Sequence, residues 1–405
     1  MLRLKAAWLL AAARASEAAA RAGTATAGAW SALWTFPAVL SSAFIIAWGA
    51  EVAQFFMSQG LALAILAWLQ TLPEFAVEAS IAWRQDIPNM TANFTGSLRL
   101  LVGLGWPMIF FVASFAHRRK TGQWLDEIVL HEDHAIEVIG LLVPILYFFF
   151  VWWKATLTVG DAVVLTGVYL VYLWVLNKMP PQDHEEAGDL DYVPRKIMGL
   201  APRLRTAAVV GLFVGGGLIL YYTAHPFVES LKAMALAIGI SEFVFIQWVA
   251  PFLSEFPEKV SAFKWAATVR KASMAVMNMV SSNINQWTML AAMIPVVYSF
   301  SRGEISAIPF DGMHRHEIML TILQSLLGMV LLLNMKYSAW EAAAIFFLWV
   351  VQFGVPDLRE EIQWAYVALI VLAFVQVVRG RRSVDAFRVF AKHWRQRVMV
   401  QRSPR

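Results

Sequence analysis

The chain has 405 residues, of which 59% are hydrophobic and only 15% are charged, and its formal net charge is +5. A soluble domain of this composition would expose a large apolar surface to water, so the composition excludes an ordinary soluble protein. The chain contains no cysteine, which excludes disulfides, thiolate metal sites and thiol catalysis.

The N-terminal segment, residues 1–34, is rich in alanine and carries Arg3, Lys5, Arg14 and Arg21. Arg14 interrupts its short apolar run, so the segment is a poor membrane-spanning helix. We predict an amphipathic helix that lies in the membrane interface, with a signal-like segment as the alternative.

Apolar stretches long enough to cross a bilayer then recur along the chain and predict about ten or eleven spanning helices. The candidate spans are Thr35–Phe56, Gly60–Trp83, Phe94–Phe115, Ile136–Trp153, Ala162–Leu176, Thr206–Thr223, Met234–Ala266, Ala272–Phe300, Glu317–Leu333, Ser338–Phe353 and Ile362–Val378. They divide into a first half (35–178), a connector (179–205), a second half (206–355) and an eleventh span with a basic tail (356–405). The prediction is an all-α polytopic membrane protein.

The connector is rich in proline and charge and is predicted to be soluble. Lysine and arginine gather in it, in loops on the same face and in the tail, which predicts a cytoplasmic connector and tail. The basic residues near the N-terminus oppose this orientation. The basic excess indicates contact with anionic membrane lipid, and we expect no nucleic-acid partner. The compact connector and the lack of organelle targeting signals favour a bacterial inner membrane, and the sequence leaves the oligomeric state open.

Two of the predicted spans share an unusual motif. A Pro-Glu pair interrupts each apolar helix, at residues 73–74 and 257–258, and an asparagine–serine cluster follows each pair, at 93–97 and 278–283. The offset between the halves is 184 for the glutamates and 185 for the first asparagines. Either motif alone favours a structural kink, but two motifs that keep their register predict an internal repeat.

These motifs are suited to binding a cation inside the membrane. Proline frees backbone carbonyls that need partners within the bilayer, and a carboxylate at that depth is costly unless it binds a cation or a proton. Asparagine and serine add the oxygen ligands that sodium and calcium prefer. Five spans on each side of the connector place the halves in opposite orientations. The sequence therefore predicts two inverted five-helix repeats with broken helices, an arrangement typical of secondary transporters, plus an extra C-terminal transmembrane helix.

The motifs resemble the two alpha-repeats of the sodium/calcium exchanger (cation/calcium exchanger) superfamily. The segments LQTLPE (Leu69–Glu74) and LSEFPE (Leu253–Glu258) are similar to its first motif, and ANFTGSL and MNMVSSN are similar to its second. The resemblance implies an antiporter that exchanges calcium or a similar cation for sodium or protons by alternating access, without an organic cofactor. It also implies a set of cation ligands: Glu74, Glu258, Thr71, Asn93, Ser97, Ser254, Glu255, Asn278 and Ser282.

Several residues depart from the family pattern, and these departures bear on which ions the protein exchanges. Leu69 and Leu253 stand where the family has a helix-breaking glycine, and Leu98 stands where it has an asparagine. Lys259 follows Glu258 directly and, in a regular helix, would point about 100° away from it. Because oxygen ligands are lost while several carboxylates are kept, we hypothesise that protons replace sodium as the coupling ion.

Other interpretations are open at this point. The sequence lacks HExxH, GxSxG and P-loop motifs, and its strongly apolar spans lack aspartate, so we predict that it is not an enzyme. A degenerate homologue that binds ions or lipid without transporting them is the alternative to an antiporter. HEDH (His131–His134) is interpreted as a solvated charge cluster, with a metal site as the alternative. The Gly215–Gly217 run predicts close helix contact.

Overall fold

The structure is a computed structural model that describes residues 28–56, 59–178, 188 and 190–399. Residues 1–27 of the predicted amphipathic segment therefore lie outside the described residues, as does the first part of the connector. The described chain is an all-helical bundle of membrane-spanning passes.

The first half contains five passes. Its helices are α1 (Ala32–Ala53), α2 (Gln59–Gln70), α3 (Leu72–Trp83), α4 (Ile87–Leu100), α5 (Trp106–Thr121), α6 (Ala135–Lys154) and α7 (Val159–Asn177). Helices α2 and α3 form one interrupted pass. Helices α4 and α5 form another, joined by a π-helical turn at Leu101–Gly105.

The second half repeats this pattern after a short helix, α8 (Tyr192–Met198). Its helices are α9 (Pro202–Ile238), α10 (Glu242–Ser254), α11 (Phe256–Ala267), α12 (Ala272–Asn285), α13 (Ala291–Arg302), α14 (Gly312–Leu332) and α15 (Ala339–Gly354). Here α10 and α11 form the interrupted pass, and a π-helical turn at Gln286–Leu290 joins α12 to α13. The extra helix α16 (Arg359–Val378) and the short helix α17 (Asp385–His393) follow.

Two pairs of very short strands join the halves at opposite ends of the bundle. Strand β1 (Glu127–Val129) pairs antiparallel with β4 (Lys336–Ser338), with Ile128 opposite Tyr337. Strand β2 (Thr156–Leu157) pairs antiparallel with β3 (Ile308–Pro309). These strands were not predicted, because two or three residues of pairing leave no periodic signal in the sequence. They define a β1–β4 end, which also carries the connector, and a β2–β3 end.

The halves are inverted because an odd number of passes precedes the connector. Helix α1 runs towards the β1–β4 end, whereas its counterpart α9 runs away from it. The helix contacts follow the same symmetry: α10 packs on α4 as α2 packs on α12, and α11 packs on α5 as α3 packs on α13. The two interrupted passes therefore lie side by side with the helices that carry the asparagine–serine clusters.

Seven described helical segments are long and apolar enough to cross a membrane by themselves. The four remaining passes depart from that rule for identifiable reasons. Two are the interrupted passes, one is the polar α12–α13 pass, and one is α15, which has only 16 residues. Three of these four passes carry the repeated motifs. The first Pro-Glu pair lies in α2–α3, the second in α10–α11, and the second asparagine–serine cluster in α12–α13.

The main boundary error of the sequence prediction concerns α9. The candidate span Thr206–Thr223 lies inside a 37-residue helix, and the candidate span Met234–Ala266 begins inside the same helix. Gly239, with a φ angle of 73°, ends α9 in a left-handed conformation that suits glycine. The sequence is apolar on both sides of this stop, so hydropathy alone did not detect it.

The glycine run in α9 makes one close helix contact, as predicted. A Cβ on Gly216 would lie 2.7 Å from Ile46 Cγ1 and 3.3 Å from the Ser42 carbonyl oxygen. Ser42 also donates a hydrogen bond to the Gly216 carbonyl at 2.8 Å. A Cβ on Gly215 or Gly217 would meet no described atom within 4 Å. The contact between α1 and α9 thus depends on the middle glycine.

We expect Gly96→Ala to destabilise the protein by about 1–3 kcal/mol, the usual effect of overpacking. Gly96 lies where α4 crosses α10, and a Cβ there would clash with the backbone carbonyl of Gln247. Thermal unfolding in detergent measures the effect. Gly215→Ala is the control, because it adds a methyl group inside a helix without a clash, and alanine is the better helix former. Equal melting temperatures for the two variants would contradict the close crossing.

Candidate cation-binding site

The break between α2 and α3 places Glu74 in the middle of its pass. Thr71 separates the two helices, and its hydroxyl donates a hydrogen bond to the Trp68 carbonyl at 2.8 Å. Pro73 in the first turn of α3 donates no backbone hydrogen bond, so the helix begins again there. Glu74 therefore stands in a first helical turn, where the helix dipole favours a negative charge, and it is fully buried.

The Glu74 carboxylate receives hydrogen bonds from both halves of the chain. Asn93 Nδ2 donates to Glu74 Oε1 at 2.7 Å, and the Ser97 hydroxyl donates to the same oxygen. Ser254, at the end of α10, donates to Glu74 Oε2 at 2.5 Å. Four of the predicted ligand residues are thus in direct contact.

A second carboxylate of α3 shares these contacts. Glu78 lies one turn after Glu74, and Asn93 Nδ2 donates to Glu78 Oε2 at 2.6 Å. Glu78 is also fully buried. It was not among the predicted ligands, although the spacing of four residues places it on the same helix face as Glu74.

The second half repeats the arrangement around Glu258. Pro257 lies in the first turn of α11, and Glu258 stands there as Glu74 does in α3. Asn278 Nδ2 approaches Glu258 Oε1 at 3.4 Å, and the Ser282 hydroxyl donates to the same oxygen. The Pro-Glu pairs and the asparagine–serine clusters therefore meet in both halves.

Glu255 has a different environment from the other carboxylates. Lys259 Nζ donates to Glu255 Oε2 at 2.6 Å, and Gln286 Nε2 donates to Glu255 Oε1 at 2.6 Å. Lys259 turns away from Glu258 along the helix but reaches Glu255 because the two residues are four apart. Both side chains are almost completely buried. Gln286 was not among the predicted ligands, although it follows the second asparagine–serine cluster in the polar α12–α13 pass.

Several buried oxygens at the site accept no hydrogen bond from any described residue. They are Glu78 Oε1, Asn93 Oδ1, Glu258 Oε2 and Asn278 Oδ1. Buried polar atoms are rarely left without partners in proteins. Carboxylate and amide oxygens are hard ligands that suit calcium or sodium, so this set fits a cation.

The charges at the site are unbalanced. Glu74, Glu78, Glu255 and Glu258 are all buried, against Lys259 as their basic neighbour. Among the described residues, no three acidic or histidine side chains form a metal-binding group.

The remaining predicted features lie at the edges of the site. The Thr71 hydroxyl bonds within its own helix, and the described contacts do not bring it to Glu74. Leu98 fills the core, and Asn283 Nδ2 approaches the Leu98 carbonyl oxygen at 3.4 Å. Asn283 of the second half therefore lies against the backbone of Leu98, its counterpart in the first half.

The HEDH segment was interpreted as a solvated charge cluster, but its residues differ in exposure. His134 is buried and lies 3.7 Å from Glu137. Glu132 and Asp133 face the C-terminal helix α17, where Lys392 and His393 lie 3.1 Å and 3.8 Å away. His131 and Glu132 are exposed, as the interpretation of a solvated cluster expects, and only His134 of the four residues is buried. The docking of α17, more than two hundred residues away, is not visible in the local sequence.

Comparisons with known proteins agree with the fold. The family model described as "Sodium/calcium exchanger protein" matches residues 27–177 and 208–355. The crystal structure of the H+/Ca2+ exchanger CAX is 31% identical, with a TM-score of 0.82 over 90% of this chain and 91% of that chain. The sodium-calcium exchanger NCX_Mj, soaked with 100 mM Na+ and 10 mM Sr2+, is 18% identical, with a TM-score of 0.53 over 82% of this chain and 99% of that chain. A comparison with curated protein sequences gave no match.

Proposed function

The chain belongs to the sodium/calcium exchanger family of membrane transporters, and from this premise we propose that it is an antiporter that exchanges calcium, or a similar divalent cation, for protons. The membership accounts for the integral membrane fold and for the lack of enzyme motifs. The nature of the two ions is the proposal.

One observation carries the proposal. Glu74 and Glu258 each stand at a helix break in the middle of a pass, and each accepts hydrogen bonds from an asparagine and a serine of the following pass. A structural kink needs neither the carboxylate nor its two polar partners. Two buried carboxylates with the same surroundings in inverted repeats suit a cation that is reached from either side of the membrane.

In this proposal Glu74 and Glu258 are the central ligands of the cation. The side chains of Asn93, Ser97, Ser254, Asn278 and Ser282 complete the oxygen set. Hydroxyl groups that now donate to a carboxylate rotate to present oxygen lone pairs when a cation binds. Thr71 contributes through the shape of the helix break.

Two features support protons as the coupling ion. The H+/Ca2+ exchanger CAX is 31% identical to this chain over 90% of its length. In addition, Leu98 occupies the place of an asparagine ligand, which leaves the first half poorer in oxygen ligands for a second metal cation. A proton needs only a carboxylate oxygen, so the carboxylates can exchange protons for calcium.

The orientation is also proposed. The β1–β4 end carries the connector and the tail with most of the lysine and arginine, which favours the cytoplasmic side of a bacterial inner membrane. Anionic lipid headgroups at that surface suit the basic tail.

We expect calcium uptake into liposomes that contain the purified protein and are acidic inside. Protons leaving the vesicles drive calcium inwards, so uptake stops when an ionophore collapses the proton gradient. Vesicles loaded with sodium at equal pH provide the second arm. Uptake that follows the sodium gradient and ignores the pH gradient would refute proton coupling. No uptake in either arm, together with calcium-induced thermal stabilisation, would favour the non-transporting homologue.

A further inference from the structure

A second buried polar network lies outside the cation site, towards the β2–β3 end. Arg99 Nη2 and Arg359 Nη1 each lie 2.5 Å from the carboxylate of Glu317. The relative exposures of Arg99, Glu317 and Arg359 are 0%, 3% and 8%. Three buried charges on three different helices are costly, and the proposed site uses none of them.

Gln247 connects this network to α10. Its side chain donates to Glu317 Oε2 at 3.0 Å and to Thr95 Oγ1 at 3.2 Å, and it accepts a hydrogen bond from Arg359 Nη2 at 3.0 Å. All three hydrogen-bonding groups of the Gln247 amide are engaged. The orientation of α10 is therefore fixed by Arg359 and Glu317.

Helix α10 ends at the cation site. Ser254, which donates to Glu74, follows Gln247 by seven residues, and two helical turns place both residues on the same face. Arg99 lies on α4, the helix that also carries Ser97, which donates to Glu74. The network thus holds both helices whose serines contact the Glu74 carboxylate.

We propose that Arg359, the first residue of α16, is a positioning residue for cation binding. Through Glu317 and Gln247 it fixes the orientation of α10, and α10 holds Ser254 against Glu74. The inference rests on the proposed function. Arg359 lies beyond the part of the chain that the family model matches, which ends at residue 355. The extra helix therefore supplies a contact to the site instead of only anchoring the tail.

The chemistry of the network supports positioning over simple attachment. Apolar residues would attach α16 to α14 without the cost of burying charge. A planar guanidinium instead contacts Glu317 and Gln247 at fixed angles, which sets the position of one helix against another. Arg99 adds contacts to the Gln352 side chain at 3.4 Å and to the Trp248 ring at 5.2 Å.

The test measures calcium transport by Gln247→Met, Arg359→Lys and the control Arg382→Gln in liposomes. Gln247→Met keeps both arginine–glutamate pairs and removes the hydrogen bonds that link Arg359 and Glu317 to α10. Arg359→Lys keeps a charge for Glu317 but cannot contact Gln247 at the same time. Arg382 forms a buried pair with Glu341 at 2.6 Å near the β1–β4 end, so its loss tests a general effect of breaking such a pair.

We expect a several-fold rise in the calcium KM for Gln247→Met and for Arg359→Lys, with a smaller change in maximal rate and no rise for Arg382→Gln. Combining Gln247→Met with Ser254→Ala should add little to Ser254→Ala alone, because both act through the same hydroxyl. Wild-type KM values for both network variants, or fully additive effects in the double variant, would overturn the inference.

Amide hydrogen exchange supplies a readout that does not need transport. We expect faster exchange over residues 242–254 in Gln247→Met and Arg359→Lys than in wild type, and unchanged exchange there in Arg382→Gln. If the wild-type protein transports no calcium, the proposed function is refuted, but the hydrogen-exchange comparison still tests the positioning role. Unchanged exchange in the network variants would refute the positioning role whether or not the protein transports calcium.

Discussion

We expect Glu74→Gln or Glu258→Gln to reduce gradient-driven calcium uptake by about 100-fold or more, because the affinity of a calcium site depends steeply on the number of charged ligands. Each substitution keeps the size of the side chain but removes the negative charge that a cation requires. Glu74 accepts three hydrogen bonds in the structure, so glutamine also loses part of its contact with Asn93 or the serines. Initial uptake rates at a calcium concentration below the wild-type KM measure the effect.

The matched control for this experiment is Glu341→Gln. Glu341 is also a buried carboxylate, but it caps α15 and pairs with Arg382, away from the site. We expect this variant to be less stable than wild type while its uptake per folded molecule is retained. If Glu74→Gln and Glu258→Gln transport calcium at the rate of Glu341→Gln, the two glutamates are not the central ligands.

We expect Lys259→Gln to lower the free energy of unfolding by about 3–5 kcal/mol in the absence of calcium, the usual cost of removing one partner of a buried ion pair. The change leaves the Glu255 carboxylate buried beside Glu74 and Glu258 without its cation. Thermal or denaturant unfolding of the purified protein in calcium-free buffer measures this loss.

Calcium should restore much of the lost stability of Lys259→Gln. A cation that binds only the folded state stabilises it in proportion to the logarithm of its concentration, and the variant offers one more uncompensated carboxylate than wild type. The melting temperature should therefore rise more with calcium in Lys259→Gln than in wild type. Equal calcium responses would show that Lys259 does not compete with a cation.

Two further variants test the origin of this effect. Lys264→Gln, on the same helix α11, removes a half-exposed lysine that pairs with Asp191, and exposed pairs contribute about 0–1 kcal/mol. The double variant Glu255→Gln, Lys259→Gln removes both charges, and we expect it to recover most of the stability lost in the single variant. Failure of this recovery would assign the loss to packing.

The repeated motifs were accessible from the sequence because their signal is local. A proline followed by a glutamate inside an apolar stretch identifies a helix break and a buried carboxylate, whatever the rest of the fold. The constant offset of 184 or 185 residues then relates the two halves. The structure brings Asn93 and Ser97 to Glu74, and Asn278 and Ser282 to Glu258, as the resemblance implies.

Other members of the site carried too weak a signal. Glu78 shares a helix face with Glu74 and Gln286 follows the second asparagine–serine cluster, but both lie outside the segments LQTLPE and MNMVSSN that carry the resemblance. In the sequence, Arg359 is a basic residue at the start of a predicted span, and nothing nearby indicates that it is buried in an ion pair. Its role depends on Glu317 and Gln247, which lie 42 and 112 residues away in the chain.

The sequence by itself determined the membrane class, the number of passes, the inverted repeat and the two buried glutamates of the Pro-Glu pairs, because composition, hydropathy and short motifs act over a few helical turns. Only the tertiary structure decided that Ser254 of the second half contacts Glu74 of the first, that Lys259 neutralises Glu255, and that the eleventh helix reaches α10 through Arg359. These contacts join helices that are distant in the chain. Their partners depend on how the helices cross, and a one-dimensional pattern does not contain the crossing geometry.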